Sequence, residues 1–209
     1  AVIVFSGFLL YGFWREKNAG ILKENNPYLT SEERALALEK LEEAKKKLDT
    51  AANDDEKFGA YMQIGFQYSV FLDYENAKKS FTKAVKIKPD NYTAYVALYQ
   101  VEADTQENES ARDNIKKAVS LREDNPDLWK KYIQFETERF SAGKETLDGL
   151  YLEALKKTGS HVDMLVVYAR FLEINGDLVS ALEQWKKANE QFPGDAYEQE
   201  IKRLELLLK

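Results

Sequence analysis

Residues 58–91 read FGAYMQIGFQYSVFLDYENAKKSFTKAVKIKPDN, and this stretch decides the fold. Its first aromatic residue after Phe58, Tyr61, recurs as Tyr95 and again as Trp129, and each step is 34 residues. A period of this length predicts stacked helical units, in which each unit packs only on its neighbours. Such an array presents a surface for binding, and the period by itself implies no chemistry.

The repeated positions resemble the tetratricopeptide repeat (TPR), which has two antiparallel helices in each unit of about 34 residues. Counted from Phe58, positions 4, 7, 8, 11, 20, 24, 27 and 32 hold Tyr61, Ile64, Gly65, Tyr68, Ala77, Phe81, Ala84 and Pro89. Gly65 is the most informative, because Gly inside a helix costs about 1 kcal/mol relative to Ala and fits where two helices approach closely. Pro89 ends the second helix, since it cannot donate a backbone hydrogen bond.

The resemblance implies an all-α fold, an α-solenoid of helix-turn-helix TPR units with capping helices at both ends. Thr30 and Glu33 have the spacing of a capping box and predict the start of the first amphipathic helix. We predict an array over residues 31–195, closed by a C-terminal capping helix. Its parts are a capping helix at 31–52, repeats at 58–91, 92–125, 126–161 and 162–195, and a closing helix at 196–209. The third repeat aligns only with two residues inserted near 141–144.

The first fourteen residues, AVIVFSGFLLYGFW, are apolar apart from one Ser and two Gly, and Arg15 ends the stretch. We interpret residues 1–17 as an apolar N-terminal membrane-anchor helix, either complete or truncated, with a linker at 18–30. Fourteen helical residues extend about 21 Å, whereas the hydrocarbon core is about 30 Å thick. The interpretation predicts a single-pass membrane protein whose side of the membrane stays open. The alternative is an N-terminal helix buried against the repeats.

Composition excludes several classes of function. The net charge of −6 and the pI of about 5.1 argue against nucleic acid, since phosphate binding requires clustered Lys and Arg. The chain has no Cys, so it can form neither disulfides nor thiolate metal sites. The only histidine, His161, lies between two repeats, where we expect an exposed loop residue. No nucleophile with its base, metal cluster or phosphate-binding loop is recognisable, so we predict a protein that is not an enzyme and has no cofactor or metal.

The resemblance also implies a binding groove, because TPR proteins line an inner groove with fixed positions of each first helix. Those positions hold Met62, Phe66, Ser69, Val70, Val96, Gln100, Asp104, Lys130, Gln134 and Arg170. A helix or an extended peptide with apolar anchors suits this set. The carboxylate clamp of chaperone-binding relatives is rejected, because Met62, Phe66 and Asp127 stand where that clamp needs other side chains. We therefore predict a scaffold or adaptor, tethered to a membrane, that binds a protein partner in an envelope-associated complex. An oligomer is compatible with this prediction.

One segment supports an alternative function. Residues 128–136, LWKKYIQFE, resemble the half-a-TPR repeat of RNA-processing scaffolds, which favours Trp, then an aromatic residue, then Glu in its first helix. The alternative is a soluble RNA-processing scaffold of helical repeats. It requires a basic stripe for nucleic acid that the composition does not suggest.

Overall fold

The structure, a computed structural model, describes residues 26–209. The regular elements of this part are ten α-helices, and no strand occurs in it. In chain order they are α1 Ser31–Thr50, α2 Asp54–Val70, α3 Tyr74–Ile87, α4 Tyr92–Asp104, α5 Asn108–Leu121, α6 Pro126–Phe140, α7 Lys144–Lys157, α8 Val162–Ile174, α9 Leu178–Gln191 and α10 Asp195–Leu207. The predicted all-helical fold is confirmed for these residues. The predicted apolar N-terminal helix lies outside them.

Short polar side chains fix where the helices begin. Thr30 and Glu33 form the predicted capping box: the Glu33 N–H donates to Thr30 Oγ1 at 3.2 Å, and the Thr30 N–H donates to Glu33 Oε2 at 2.9 Å. A side chain at the N-cap likewise accepts a backbone N–H at α2, α3, α4, α6 and α9, where the caps are Asn53, Asp73, Asn91, Asn125 and Asp177. Each cap satisfies a donor that the first turn of a helix leaves unpaired, so the helix starts are encoded locally.

The chain divides between Glu107 and Asn108 into two compact units. In the first unit, the apolar core joins α1, α2, α3 and α4 around Phe81, which is only 1% exposed. In the second unit, α10 packs on α9: the rings of Trp185 and Tyr197 lie 5.9 Å apart, and Leu204 is fully buried. The predicted second repeat, 92–125, contains the point of division.

Two of the repeating aromatic residues, Tyr95 and Trp129, each bond the turn that precedes their helix. The Tyr95 hydroxyl donates to the Pro89 carbonyl at 3.1 Å, and the Trp129 indole N–H donates to the Glu123 carbonyl at 2.8 Å. In both cases the acceptor precedes the aromatic residue by six positions. The 34-residue pitch therefore repeats a specific contact, in which a ring fills the space beside the turn and its polar atom bonds the backbone.

The third repeat absorbs its two extra residues in a helix. Helix α6 has 15 residues, whereas α4 and α8 have 13 each. The turn after each of these helices has the same length, at 105–107, 141–143 and 175–177. Ser141, with φ of 48°, ends α6 in the left-handed conformation, and its N–H donates to the Glu136 carbonyl. The insertion thus lengthens the first helix by about half a turn.

The predicted location, a single-pass membrane protein with an N-terminal anchor, is wrong. Within residues 26–209 no helix is both long enough and apolar enough to cross a membrane. Residues 1–14, on which the prediction depended, lie outside the described residues.

Helices α2 and α3 approach each other closely at Gly65. A Cβ placed on Gly65 would lie 2.7 Å from Phe81 Cδ1 and 2.8 Å from Phe81 Cζ, which is closer than real carbon atoms pack. Phe81 is itself enclosed, so its ring has little room to move away. Gly59, in the same helix, has no atom within 4 Å of the corresponding point. Only one of the two glycines is therefore required by packing.

We expect Gly65→Ala to lower the free energy of unfolding by about 1–3 kcal/mol through overpacking. Gly59→Ala is the matched control in α2. It should raise the free energy of unfolding by about 0.5–1 kcal/mol, because Ala restricts the unfolded chain and meets no neighbour. Urea unfolding followed by circular dichroism measures both. Equal effects of the two substitutions would contradict the close approach at Gly65.

Candidate functional site

The ten predicted groove residues fall into two sets, one in each unit. Seven lie on α2 and α4 in the first unit, and three lie on α6 and α8 in the second. We therefore describe each set by itself.

In the first unit, Met62 does not belong to an accessible surface. Its side chain is 8% exposed and lies within the apolar core, so its predicted place in the groove is corrected. Phe66 and Val70 are 49% and 37% exposed and lie one helical turn apart on α2. Between them, the Ser69 hydroxyl donates to the Gly65 carbonyl at 3.1 Å.

The predicted residues of α4 are more polar. The exposed side chains of Gln100 and Asp104 bond each other, with Gln100 Nε2 donating to Asp104 Oδ1 at 3.1 Å. Val96 is half-buried. The predicted residues of α4 therefore form a short polar surface, Gln100 and Asp104, with one apolar residue, Val96.

The second unit contains a continuous cleft between α6, α7 and α8. Its two halves have volumes of about 380 and 480 Å³ and share Thr137, Tyr151 and Val167 as lining residues. The predicted residues Lys130, Gln134 and Arg170 all line it. We call it the α6–α8 cleft; its remaining lining residues are Ile133, Glu138, Ala142, Lys144, Leu147, Phe171, Ile174 and Asn175.

The aromatic rings of Tyr151 and Phe171 form the floor of the α6–α8 cleft, and Tyr151 also stacks on the buried Tyr168. The Tyr151 ring lies 4.9 Å from that of Phe171 and 5.3 Å from that of Tyr168, measured between centroids. Burial raises the pKa of Tyr151. Burial and a 2.7 Å hydrogen bond from its hydroxyl to Asp148 Oδ1 raise the pKa of Tyr168. Both phenols therefore stay neutral near pH 7, and the floor presents uncharged rings.

The positively charged side chains that line the cleft differ in whether they already form ion pairs with carboxylates. Lys130 Nζ bonds Asp127 at 2.8 Å and Asp163 at 3.0 Å, and these hydrogen bonds raise its pKa despite partial burial. Gln134 Nε2 donates to Glu138 Oε1 at 2.7 Å. Arg170 is exposed and forms no ion pair with any of the described residues. Arg170 is thus a cation at the rim that has no carboxylate partner within residues 26–209.

The sequence prediction missed the floor of this cleft. It considered only first-helix positions, whereas Tyr151 and Leu147 belong to the second helix α7. Ile174, at the end of α8, is 85% exposed and lines the rim. The sequence of the third repeat does carry a sign of this cleft, at the two positions where the first repeat has Gly65 and Ala77. Their counterparts in the third repeat are Ile133 and Leu147, and larger side chains at a helix crossing hold the axes farther apart.

Two ion pairs that repeat along the chain were also missed. Lys78 Nζ lies 3.0 Å from Glu102 Oε1 in the first unit, and Arg112 bonds both carboxylate oxygens of Glu136 at 2.6 and 2.7 Å in the second. Both carboxylates are buried, at 4% and 1% exposure, and each pair is separated by 24 residues. In the folded chain each ion pair holds a first helix against the second helix that precedes it: α4 against α3, and α6 against α5.

The ion pair in the second unit also affects nearby groups. Hydrogen bonds to Glu136 raise the pKa of Arg112. Burial and the charge of Glu136 raise the pKa of Tyr132 to about 12. The guanidinium group of Arg112 also lies 4.2 Å from the centroid of the Phe140 ring. These contacts hold α6, one wall of the cleft, against α5.

His161 has a local structural role. It is exposed, as expected, and its Nδ1 accepts the N–H of Asp163 at 3.3 Å at the start of α8. Among residues 26–209, no group of three or more His, Cys, Asp or Glu side chains is placed to hold a metal ion.

Solved structures show the same architecture. A tetratricopeptide repeat protein from Parabacteroides merdae superposes with a TM-score of 0.57 and 11% identity, covering 95% of this chain and 73% of that one. YrrB, a TPR protein with an unusual peptide-binding site, superposes with a TM-score of 0.51 and 18% identity, covering 92% of this chain and 97% of that one. The chain has the tetratricopeptide-repeat fold. At this level of identity the likeness establishes the fold alone.

Sequence comparison finds a relative that matches only part of the chain. No protein-family model matches the chain. Crooked neck-like protein 1 from Mus musculus is 29% identical over 116 residues, which cover 54% of this chain and 16% of that protein. This chain therefore spans only a small part of that curated relative.

Removing the charge of Glu136 tests the ion pair that holds α6. Glu136→Gln keeps the size of the side chain but loses the charge-assisted bonds to Arg112, so we expect it to cost about 1.5–3 kcal/mol of unfolding free energy. Glu138→Gln, on the exposed face of the same helix, should change it by less than about 0.5 kcal/mol. Chemical denaturation measures the free energy of unfolding of both variants. Equal losses would show that the buried ion pair stabilises the fold no more than an exposed charge does.

Proposed function

We propose that this protein is a non-enzymatic scaffold or adaptor that holds a segment of a protein partner in the α6–α8 cleft. The single observation that carries the proposal is an open cleft with an aromatic floor and, at its rim, Arg170, which has no carboxylate partner among the described residues. Concave sites with apolar walls and a few placed polar groups are where proteins bind ligands. Stacked rings and exposed apolar side chains offer contact area, and they provide no group for covalent or acid-base chemistry.

The cleft favours a particular partner chemistry. Ile174 and Phe171 offer apolar surface that a Leu, Ile or aromatic anchor can cover, which supplies most of the binding free energy. Arg170 can form a bidentate pair with a carboxylate, and it need not break an existing ion pair to do so. Lys144 adds a second positive charge at the same rim. The favoured partner is thus a peptide or helix that carries an apolar anchor beside an acidic residue.

The fold is consistent with this proposal. YrrB is described as having a peptide-binding site, and its architecture is shared by this chain. The predicted residues Lys130 and Gln134 supply further polar contacts along α6. In the first unit, the predicted residues Val96, Gln100 and Asp104 remain candidates for a second contact.

A second candidate function is a scaffold of the half-a-TPR type in RNA processing. It is favoured by the arrangement of LWKKYIQFE: Trp129, Tyr132 and Glu136 are all buried, and each makes a specific contact. The match to Crooked neck-like protein 1 adds support from sequence. In this case the partner is again a protein, unless the chain contacts RNA directly.

Peptides selected from a displayed random library on the wild-type chain test the first proposal. We expect them to share an acidic residue next to an apolar one. Arg170→Glu should weaken their binding at least tenfold, about 1.4 kcal/mol, because the partner carboxylate then meets a like charge. Isothermal titration calorimetry measures the dissociation constant.

Val179→Glu is the matched control, since Val179 is 68% exposed on α9 and does not line the cleft. It should leave the affinity unchanged, and melting temperatures of both variants establish that they are folded. The proposal is abandoned if both variants bind alike, or if no peptide is selected.

Direct RNA contact is tested separately by fluorescence anisotropy with single-stranded RNA at roughly 50 and 200 mM salt. From the acidic net charge we expect no saturable binding in either condition. Binding that weakens steeply with salt would establish phosphate contacts and favour the second candidate with RNA as a ligand.

A further inference from the structure

The first unit has an open groove along the outer side of α3. This helix buries Ala77, Phe81 and Ala84 in the core, so its other side faces outward. The groove has a volume of about 610 Å³, and Thr105 and Glu107, in the turn after α4, line it as well. We call it the α3 groove; the lysines that line it are Lys78, Lys79, Lys83 and Lys86.

The α3 groove is positively charged, although the chain as a whole is acidic. Beside the four lysines, the carboxylates that line it are those of Glu75 and Glu107, whereas the net charge of the chain is −6. A concave surface with charge of one sign concentrates ligands of the opposite sign. The groove therefore favours a partner that carries negative charge.

Two of the four lysines are already paired, but their pairs differ in strength. Lys78 Nζ lies 3.0 Å from Glu102 Oε1 and also bonds Glu107, and these contacts join α3 to the end of α4. Lys79 Nζ lies 2.9 Å from Glu75 Oε1, but both side chains are about half exposed, and such a pair contributes little to stability. Lys78 is thus structural, whereas Lys79 can exchange Glu75 for the carboxylate of a partner at little cost.

The other two lysines, Lys83 and Lys86, are available to a partner. Both are exposed, and neither has a carboxylate partner within residues 26–209. Lys83 Nζ lies 5.1 Å from the centroid of the Tyr61 ring, on α2. Lys79, Lys83 and Lys86 have the spacing i, i+4 and i+7, so they share one face of α3 and extend over about 10 Å. Carboxylates with the same spacing on another helix can meet all three.

The α3 groove also offers contacts that do not depend on charge. Tyr74 lines it, and burial, together with the charge of Asp104, raises the pKa of Tyr74. Its phenol therefore stays protonated near pH 7 and can donate a hydrogen bond to a carboxylate. The apolar stems of the lysines provide contact area for the aliphatic parts of a bound segment.

We propose that the α3 groove binds an acidic helical segment of a protein partner. Carboxylates on one face of that segment pair with Lys79, Lys83 and Lys86. A long nucleic acid suits the groove less well, because its phosphates extend beyond the lysines and meet the negative charge of the rest of the chain. The groove belongs to the first unit and the α6–α8 cleft to the second, so this inference does not depend on the proposed function.

Fluorescence anisotropy of a labelled helical peptide with the full chain tests the inference. The probe carries Glu at positions i, i+4, i+7 and i+11 and Ala or Gln elsewhere, and the matched probe has Gln at those four positions. At roughly 50 mM salt we expect the Glu peptide to bind at least about tenfold more tightly than the Gln peptide. Its affinity should fall at least about fivefold at roughly 200 mM salt, because ions screen exposed charges.

Charge reversal in the α3 groove provides the second arm. Lys83→Glu combined with Lys86→Glu should weaken binding of the Glu peptide at least about tenfold, since two attractions become repulsions. Lys40→Glu combined with Lys46→Glu is the matched control, because both lysines are exposed on α1 and neither lines the groove. This control should keep the affinity within about threefold. Lys86→Glu alone should weaken binding in the same direction, and circular dichroism establishes that each variant is folded.

Three results would overturn the inference. The first is an equal loss of affinity in the two double variants, or equal binding of the Glu and Gln peptides. The second is single-stranded RNA that binds the wild type but not the variant with Lys83→Glu and Lys86→Glu, because phosphates then occupy the α3 groove. The third is a wild-type dimer, detected by light scattering, that this variant no longer forms, because a second copy then occupies it.

Discussion

The architecture depends on small residues where the two helices of a repeat cross. Seven alanines at equivalent places in the second helices are completely buried: Ala77, Ala84, Ala111, Ala118, Ala154, Ala181 and Ala188. In the first repeat, Gly65 removes even the Cβ, because the Phe81 ring occupies its place. A helical hairpin of this size buries too little surface to be stable alone, so close packing within and between repeats must supply the stability.

The α6–α8 cleft lies in the part of the chain where the residues at the helix crossing are no longer small. The third repeat carries Ile133 and Leu147 at positions where the first has Gly65 and Ala77, and both larger side chains line the cleft. Ala169 and Ala181, both fully buried, restore small residues in the fourth repeat. The third repeat also has a first helix two residues longer than those of the second and fourth repeats. Natural proteins often depart from a local rule at functional sites, and this departure creates an accessible aromatic floor.

Much of the fold could be predicted because its signals are local. Caps such as Thr30 with Glu33 need only a few neighbouring residues, and a period of 34 shows which positions face inward. Met62 could not be placed by position alone, since whether a groove residue is exposed depends on what packs over it. In this chain the apolar core of the first unit encloses Met62. The two-residue insertion was detected by its length, but a helix and a loop accommodate it equally well in an alignment.

The candidate site was predictable only in part, because it combines side chains from elements that the repeat pattern treats as equivalent. Lys130, Gln134 and Arg170 were found through first-helix positions, whereas Tyr151 enters from α7 because its ring stacks on Tyr168 and Phe171. The charges are just as context-dependent. Lys130 is neutralised by two carboxylates, and Arg170, drawn from the same set of positions, has no carboxylate partner among the described residues. A spacing rule assigns both residues equal weight. Only the pairing in three dimensions distinguishes the two residues, because an arginine without a carboxylate partner within residues 26–209 has N–H donors that a bound anion could use.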